Sequence, residues 1–226
     1  MGNLSSEELK KLQKINIEMA KYFVEFCKEH KLLCYLCGGG CIGTIRHKGM
    51  IPWDDDLDFF MPRKDYEKMW RLWKKDNKNS RYVLEKSDAE HVDHNLFVTI
   101  RDSETTLVKP YQKDLNITHG VALDIIPIDG YPDNKFARKL QCFWALMSLG
   151  SKIALNLVPS KKTRYRIWRF AEKQMTKYPI SKCRGITELC SGPGYMKNWY
   201  PKEAFEKSIF MPFEDCEMPI PVGYDA

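Results

Sequence analysis

The chain has 226 residues, 43% of them hydrophobic, and a net charge of +6, enough to bury one sizeable core with no repeat or low-complexity stretch. The longest uncharged apolar run, Leu140 to Ser151, is well short of the roughly 20 residues a membrane-spanning helix needs. Eight cysteines without the density of a disulfide scaffold, and with no secretory signal ahead of them, point to reduced thiols and a cytoplasmic protein.

Ser5 followed by Glu8 is a capping-box signature, and Leu9, Leu12, Ile15, Met19, Tyr22, Phe23 and Phe26 recur behind it at helical spacing. An amphipathic first helix follows. Leu32 to Leu36 suits a short buried strand that delivers the chain to the turn Gly38-Gly39-Gly40. Cys41 to Arg46 then predicts a short helix, whose N-terminal N–H groups would meet a phosphate. Cys34, Cys37 and Cys41 have a zinc-like spacing, but they fall on the predicted strand and the glycine turn, which favours core thiols. Leu57 to Met61 reads as a buried strand, and Pro62 as the first turn of a helix with Tyr66, Met69, Trp70 and Trp73 on its buried stripe.

Further strands are expected at Tyr82 to Lys86, Asn95 to Arg101 and Val121 to Ile126, and helices at Asp133 to Leu157 and Thr163 to Thr176. The expected fold class is α+β, a mixed sheet flanked by helices with a helical appendage. Gly and Pro at Asp129-Gly130-Tyr131-Pro132 suggest a boundary there, and make Asp129 a turn residue. That gives a catalytic core over 1–130, a basic helical segment over 131–200 and C-terminal strands over 201–226 that return to the core. Between Lys161 and Arg184 nine basic residues face Glu172 alone, which suits an acidic polymer or peripheral contact with the inner face of an anionic membrane.

Asp54, Asp55, Asp56 and Asp58 follow the glycine turn closely, and their repulsion would raise their pKa values unless a cation joined them. Mg2+ or Mn2+ is the expected counter-charge. In strand geometry Asp54, Asp56 and Asp58 would share one face and Asp55 the other. Asp124, within Ala122-Leu123-Asp124-Ile125-Ile126, is a carboxylate among apolar neighbours that needs a positive partner. A neighbouring strand would make it a third metal ligand or a base; the alternative partner is a buried arginine such as Arg101.

Leu36 to Tyr66 resembles the LicD family, to which fukutin and fukutin-related protein are also similar. The likeness is carried by the glycine turn, Arg46-His47-Lys48-Gly49, Ile51-Pro52-Trp53 with the aspartates, and Pro62-Arg63-Lys64-Asp65-Tyr66. Ile100-Arg101-Asp102, His119-Gly120 and Leu123 to Gly130 extend it. The resemblance implies a nucleotidyltransferase-like (polymerase-beta-like) fold and transfer of a phospho-alcohol from a CDP-alcohol, most often phosphocholine from CDP-choline, to a hydroxyl of a glycan or glycopolymer such as lipopolysaccharide or teichoic acid. No nucleic-acid partner is implied. Relatives usually continue past the last residues of this chain, so the resemblance also implies a shortened tail.

In that scheme Asp56 and Asp58 are the main metal ligands, Asp54 assists, and Asp124 is the third ligand or base. Gly39, Gly40 and Gly43 shape a phosphate cradle, and Arg46, Lys48 and Arg101 supply charge to the donor phosphates. His47 is an acid–base candidate or a member of a basic loop, and His119 is similar. Trp53, Tyr111 and Tyr131 are candidates for a cage around a quaternary ammonium. Two other functions fit the same residues: a nucleotidyltransferase that moves NMP from an NTP, and a catalytically silent glycan- or nucleotide-binding module.

Overall fold

The structure is a computed structural model that describes residues 4–76, 80–88, 95–153 and 160–225. Helix α1 (Ser6–Glu29) begins with the expected capping box: the Ser5 hydroxyl accepts from the Glu8 N–H at 3.2 Å, and the Glu8 carboxylate accepts from the Ser5 N–H at 2.8 Å. Its apolar stripe, including Leu12, Met19, Phe23 and Phe26, is buried.

A seven-stranded mixed sheet forms the centre. Its strands are β1 (Tyr35–Leu36), β2 (Asp58–Pro62), β3 (Tyr82–Glu85), β4 (Val98–Asp102), β5 (Ala122–Tyr131), β6 (Gly185–Thr187) and β7 (Tyr200–Pro201). They run in the order β1-β2-β5-β4-β3, with β6 and then β7 joined to the far end of β5. Among the described residues only the β2–β5 pair is parallel. A parallel pair needs a long crossover, and here α3 (Arg63–Asp76), β3 and β4 supply it. The fold is α+β, as the sequence pattern implies.

Strand alternation sorts the side chains of β2 and β5 between two layers. Phe59, Met61, Leu123 and Ile125 join the main core with α1, α3 and the separate hairpin of β8 (Ser208–Phe213) and β9 (Cys216–Pro221), to which Phe213, Met218 and Ile220 belong. Phe60 and Ile126 face the other layer, with Ala145 of α4 (Lys135–Ile153) and Trp168 and Met175 of α5 (Lys161–Met175). Phe213, Met218 and Ile220 thus place this hairpin against the main core.

β5 differs from expectation. It continues through Asp129, Gly130 and Tyr131, which pair with Thr187, Ile186 and Gly185 of β6. Gly130 marks a close approach rather than a turn: a Cβ there would lie 2.5 Å from the Tyr178 carbonyl oxygen. The sheet thus runs across the expected boundary and carries the segment beyond residue 130 on the strand itself. Pro127 falls between the stretch of β5 paired with β4 and the stretch paired with β6, the place where a missing N–H is tolerated.

Candidate active site

The parallel register places Asp58 opposite Asp124. Both precede residues of the second layer by two positions, so both carboxylates lie on that face of the sheet. In β4, Thr99 pairs with Asp124 and donates its hydroxyl to Asp124 Oδ1 at 2.7 Å, which fixes the carboxylate's orientation. Thr99 is fully buried and has no local sequence signal; only the register identifies it.

The other three aspartates precede β2 in non-strand conformation. The strand does not reach back to Asp54, and Asp55 is not turned away from its neighbours. Asp54, Asp55 and Asp56 instead bring one carboxylate oxygen each within 4.8 Å of one another. The loop is curled because α1 holds its backbone: Gln13 Nε2 donates to the carbonyls of Ile51 at 3.2 Å and Asp54 at 2.9 Å, and Asn16 Nδ2 donates to that of Asp55 at 2.9 Å. Asn16 was legible in principle, since a polar residue between Leu12 and Met19 sits on the buried stripe of α1.

The glycines are also placed differently. Helix α2 (Gly38–His47) starts at the first of them, so they form its first turn rather than a loop ahead of it. A Cβ on Gly39 would stand 1.9 Å from Asp54 Oδ2, so the missing side chain makes room for that carboxylate at the helix N-terminus. Gly40 packs on Leu36 and Leu57, and Gly43 on the Gly49 carbonyl oxygen, where a Cβ would lie at 2.4 Å. Of these three, Gly39 faces the acidic loop and the others serve packing.

Burial is the main force on these carboxyls, followed by their neighbours. It raises Asp54, with Asp56 and Asp55 adding to the shift, and raises Asp56, with Asp55 adding. Asp58 is pushed up to about 8 by burial, then by Asp124 and Asp56. Lys109 opposes the shift at both Asp56 and Asp58. Among the described residues no ion pair engages Asp54, Asp55, Asp56 or Asp58. An all-carboxylate donor set with this excess of negative charge fits a hard divalent cation such as Mg2+ or Mn2+.

Lys109 is a basic residue that the sequence does not single out. It lies on the loop between β4 and β5, which closes through the Leu107 N–H to the His119 carbonyl at 3.0 Å. Arg101 anchors that loop from below: it is 2% exposed, and its Nη2 donates to Gln112 Oε1 at 3.2 Å. Arg46 and Lys48 are exposed at the C-terminal end of α2, about 10 Å along the helix axis from Gly39. Lys48 is left-handed (φ 54°) and caps that end. His47 is exposed beside it, and His119 Nε2 lies 3.2 Å from the Leu115 carbonyl. Trp53 is 77% and Tyr111 59% exposed on the two loops, whereas Tyr131 is covered by the Arg138 guanidinium at 4.0 Å. Asp129 is not a turn residue; it is buried in β5 and accepts two hydrogen bonds from Arg63, at 2.8 and 2.7 Å.

A family model described as LicD/FKTN/FKRP, nucleotidyltransferase domain, matches residues 31–143, half of the sequence. The chain belongs to the LicD family. The matched LicD stretch holds the first turn of α2, the four aspartates, Thr99, Lys109 and Asp124. Over 241 residues the chain is also 27% identical to the lipopolysaccharide cholinephosphotransferase LicD of Haemophilus influenzae, covering 96% of this chain and 86% of that protein. The LicD resemblance drawn from the motifs between Leu36 and Tyr66 thus extends along nearly the whole chain.

Proposed function

We propose that this LicD family protein transfers phosphocholine from CDP-choline to a hydroxyl of a cell-surface glycan and releases CMP. The observation that carries the reading is the register of Asp58 against Asp124, beside the Asp54–Asp56 cluster and its glycine-fronted helix. The name of the Haemophilus influenzae relative supports choline phosphate as the group moved and a lipopolysaccharide-type acceptor.

The residues divide the work as follows. Asp56, Asp58 and Asp124 would hold Mg2+ or Mn2+, with Asp54 assisting at the helix N-terminus. When bound, such an ion supplies charge neutralisation to the oxygens of the transferring phosphoryl group. The acceptor oxygen forms its bond to the phosphorus of phosphocholine while the bond from that phosphorus to the bridging oxygen breaks, and CMP leaves with the electron pair. Asp124, oriented by Thr99, receives the hydroxyl proton. Lys109 places a positive charge near Asp56 and Asp58, where the donor diphosphate would lie. Trp53 and Tyr111 offer exposed rings to the choline ammonium.

CMP release with Mg2+ tests this, with CDP-choline, CDP-ribitol, CDP-glycerol and CTP offered separately. Turnover of CDP-choline alone that disappears in Asp58→Ala is expected. Consumption of CTP with pyrophosphate release would replace the reading with nucleotidyl transfer, and turnover of a different CDP-alcohol would replace the donor.

A further inference from the structure

Helix α4 is built inside out for a helix in water. Its inward face carries Arg138, Gln141 and Ser148, all buried. Arg138 Nη2 donates to Thr187 Oγ1 at 3.2 Å, and Gln141 Nε2 donates to the carbonyls of Gly130 at 2.9 Å and Met175 at 3.1 Å. Arg138 and Gln141 occupy the interior because they satisfy a hydroxyl in β6 and backbone carbonyls near the end of β5 and at the end of α5. The outward face carries Phe136, Phe143, Leu146 and Met147, which are 76%, 50%, 50% and 41% exposed. Spacings of seven and four from Phe136 through Phe143 to Met147 keep them on one stripe.

The stripe continues onto α5. Trp144 meets Phe143 at 5.1 Å and Phe170 at 5.4 Å between ring centroids, and Phe170 and Ile167 are 54% and 36% exposed. Lys135 and Lys139 flank it on α4, and Lys162, Arg166 and Lys173 on α5, all exposed. The two helices hold a single acid, Glu172, and it is buried against Arg63 and Arg169. The outward face therefore combines an aromatic centre with a basic rim and presents no carboxylate.

From this combination we infer that the outward face of α4 and α5 docks on an anionic lipid surface, with Phe136, Phe143 and Phe170 entering the headgroup boundary and the flanking lysines and arginine meeting lipid phosphates. The aromatic and aliphatic side chains gain by leaving water, and the cationic rim gains only on a negative surface. A second copy meeting the same face would set basic rim against basic rim, which charge opposes.

Co-sedimentation of the full chain with vesicles of phosphatidylglycerol and phosphatidylcholine, against phosphatidylcholine alone, tests the inference without donor, metal or turnover. Its outcome is therefore separate from that of the proposed chemistry. Binding to the anionic vesicles is expected, weakening with salt, and falling by about 10-fold for Phe143→Ser and again for Phe170→Ser. Arg166→Glu with Lys173→Glu should remove the preference for anionic lipid. Unchanged circular dichroism and an unchanged melting temperature would show that these variants fold. Failure of the wild-type chain to bind anionic vesicles at low salt, or equal binding by wild type and the Phe143→Ser/Phe170→Ser variant, would overturn the assignment. A concentration-dependent dimer that the same pair abolishes, without vesicle binding, would overturn it in favour of a second copy.

Discussion

The two ends of the β2–β5 strand pair treat an aspartate in opposite ways. Just beyond the end of β2, Arg63 reaches Asp129 with two hydrogen bonds and lies 3.7 Å from Glu172, so the carboxylates are neutralised from within. At the start of β2, Asp58 stands beside Asp124, with Asp54 to Asp56 adjoining and Lys109 opposing only in part. Burial costs a charged group heavily unless something pairs it, so the first end is self-sufficient, and the unbalanced charge of the second is what the proposed cation and anionic donor would meet. The same residue type in the same strand, β5, is a structural tie at Asp129 and, in the proposed reaction, a functional group at Asp124.

Substitutions at the two ends should separate these roles. Asp58→Asn should lower CMP release by about 1,000-fold, on the order of 4 kcal/mol, while leaving the melting temperature equal or higher, because it removes repulsion. A melting temperature that collapses would instead make Asp58 a structural residue like Asp129. Arg63→Ala should do the reverse, costing about 3–5 kcal/mol in chemical denaturation because Asp129, 1% exposed, loses its partner. Turnover per folded molecule should change little.

Gly39→Ala probes the contact between α2 and the acidic loop, since the new methyl would displace the Asp54 carboxylate. A loss of about 10- to 100-fold in activity is expected, with a smaller loss for Gly39→Ala than for Asp58→Asn when both are assayed together. The pH dependence of stability sharpens the comparison further. Asp58 holds its proton more tightly in the fold than in the unfolded chain, so its contribution is full below about pH 4 and is lost as pH rises through about 8. In EDTA the melting temperature should therefore fall between pH 5 and pH 9. Asp58→Asn should flatten that slope, and Mg2+ should restore more stability at pH 9 than at pH 5. Trp53→Ala should have the smallest effect, raising KM for CDP-choline about 3- to 5-fold without a matching change for CDP-glycerol. An equal change for both donors would remove Trp53 from choline recognition.

Local chemistry made much of this legible in advance. The capping box at Ser5 and Glu8, the stripes of α1 and α3 and the run from Leu57 to Met61 each follow from spacing alone, because helix caps and side-chain periodicity depend on neighbours in the chain. The accumulation of Asp54, Asp55, Asp56 and Asp58, and the apolar setting of Asp124, likewise appear in the sequence and direct attention to a cation. What they do together is not local. Opposition of Asp58 and Asp124 depends on a parallel register between segments more than sixty residues apart, and Thr99 enters through the next strand. Curling of the acidic loop depends on Gln13 and Asn16 of α1, and the space for Asp54 on where α2 begins. Asp129 looked like a turn residue because Gly130 and Pro132 follow it; β6 and Arg63 made it part of a strand and a buried pair. Periodicity and residue chemistry act within a turn or two of chain, so the sequence by itself determined elements such as α1 and α3 and the gathering of the aspartates. Strand register and side-chain reach across the sheet act between distant segments, and only the tertiary structure decided which carboxylates share a site and which is paired within the fold.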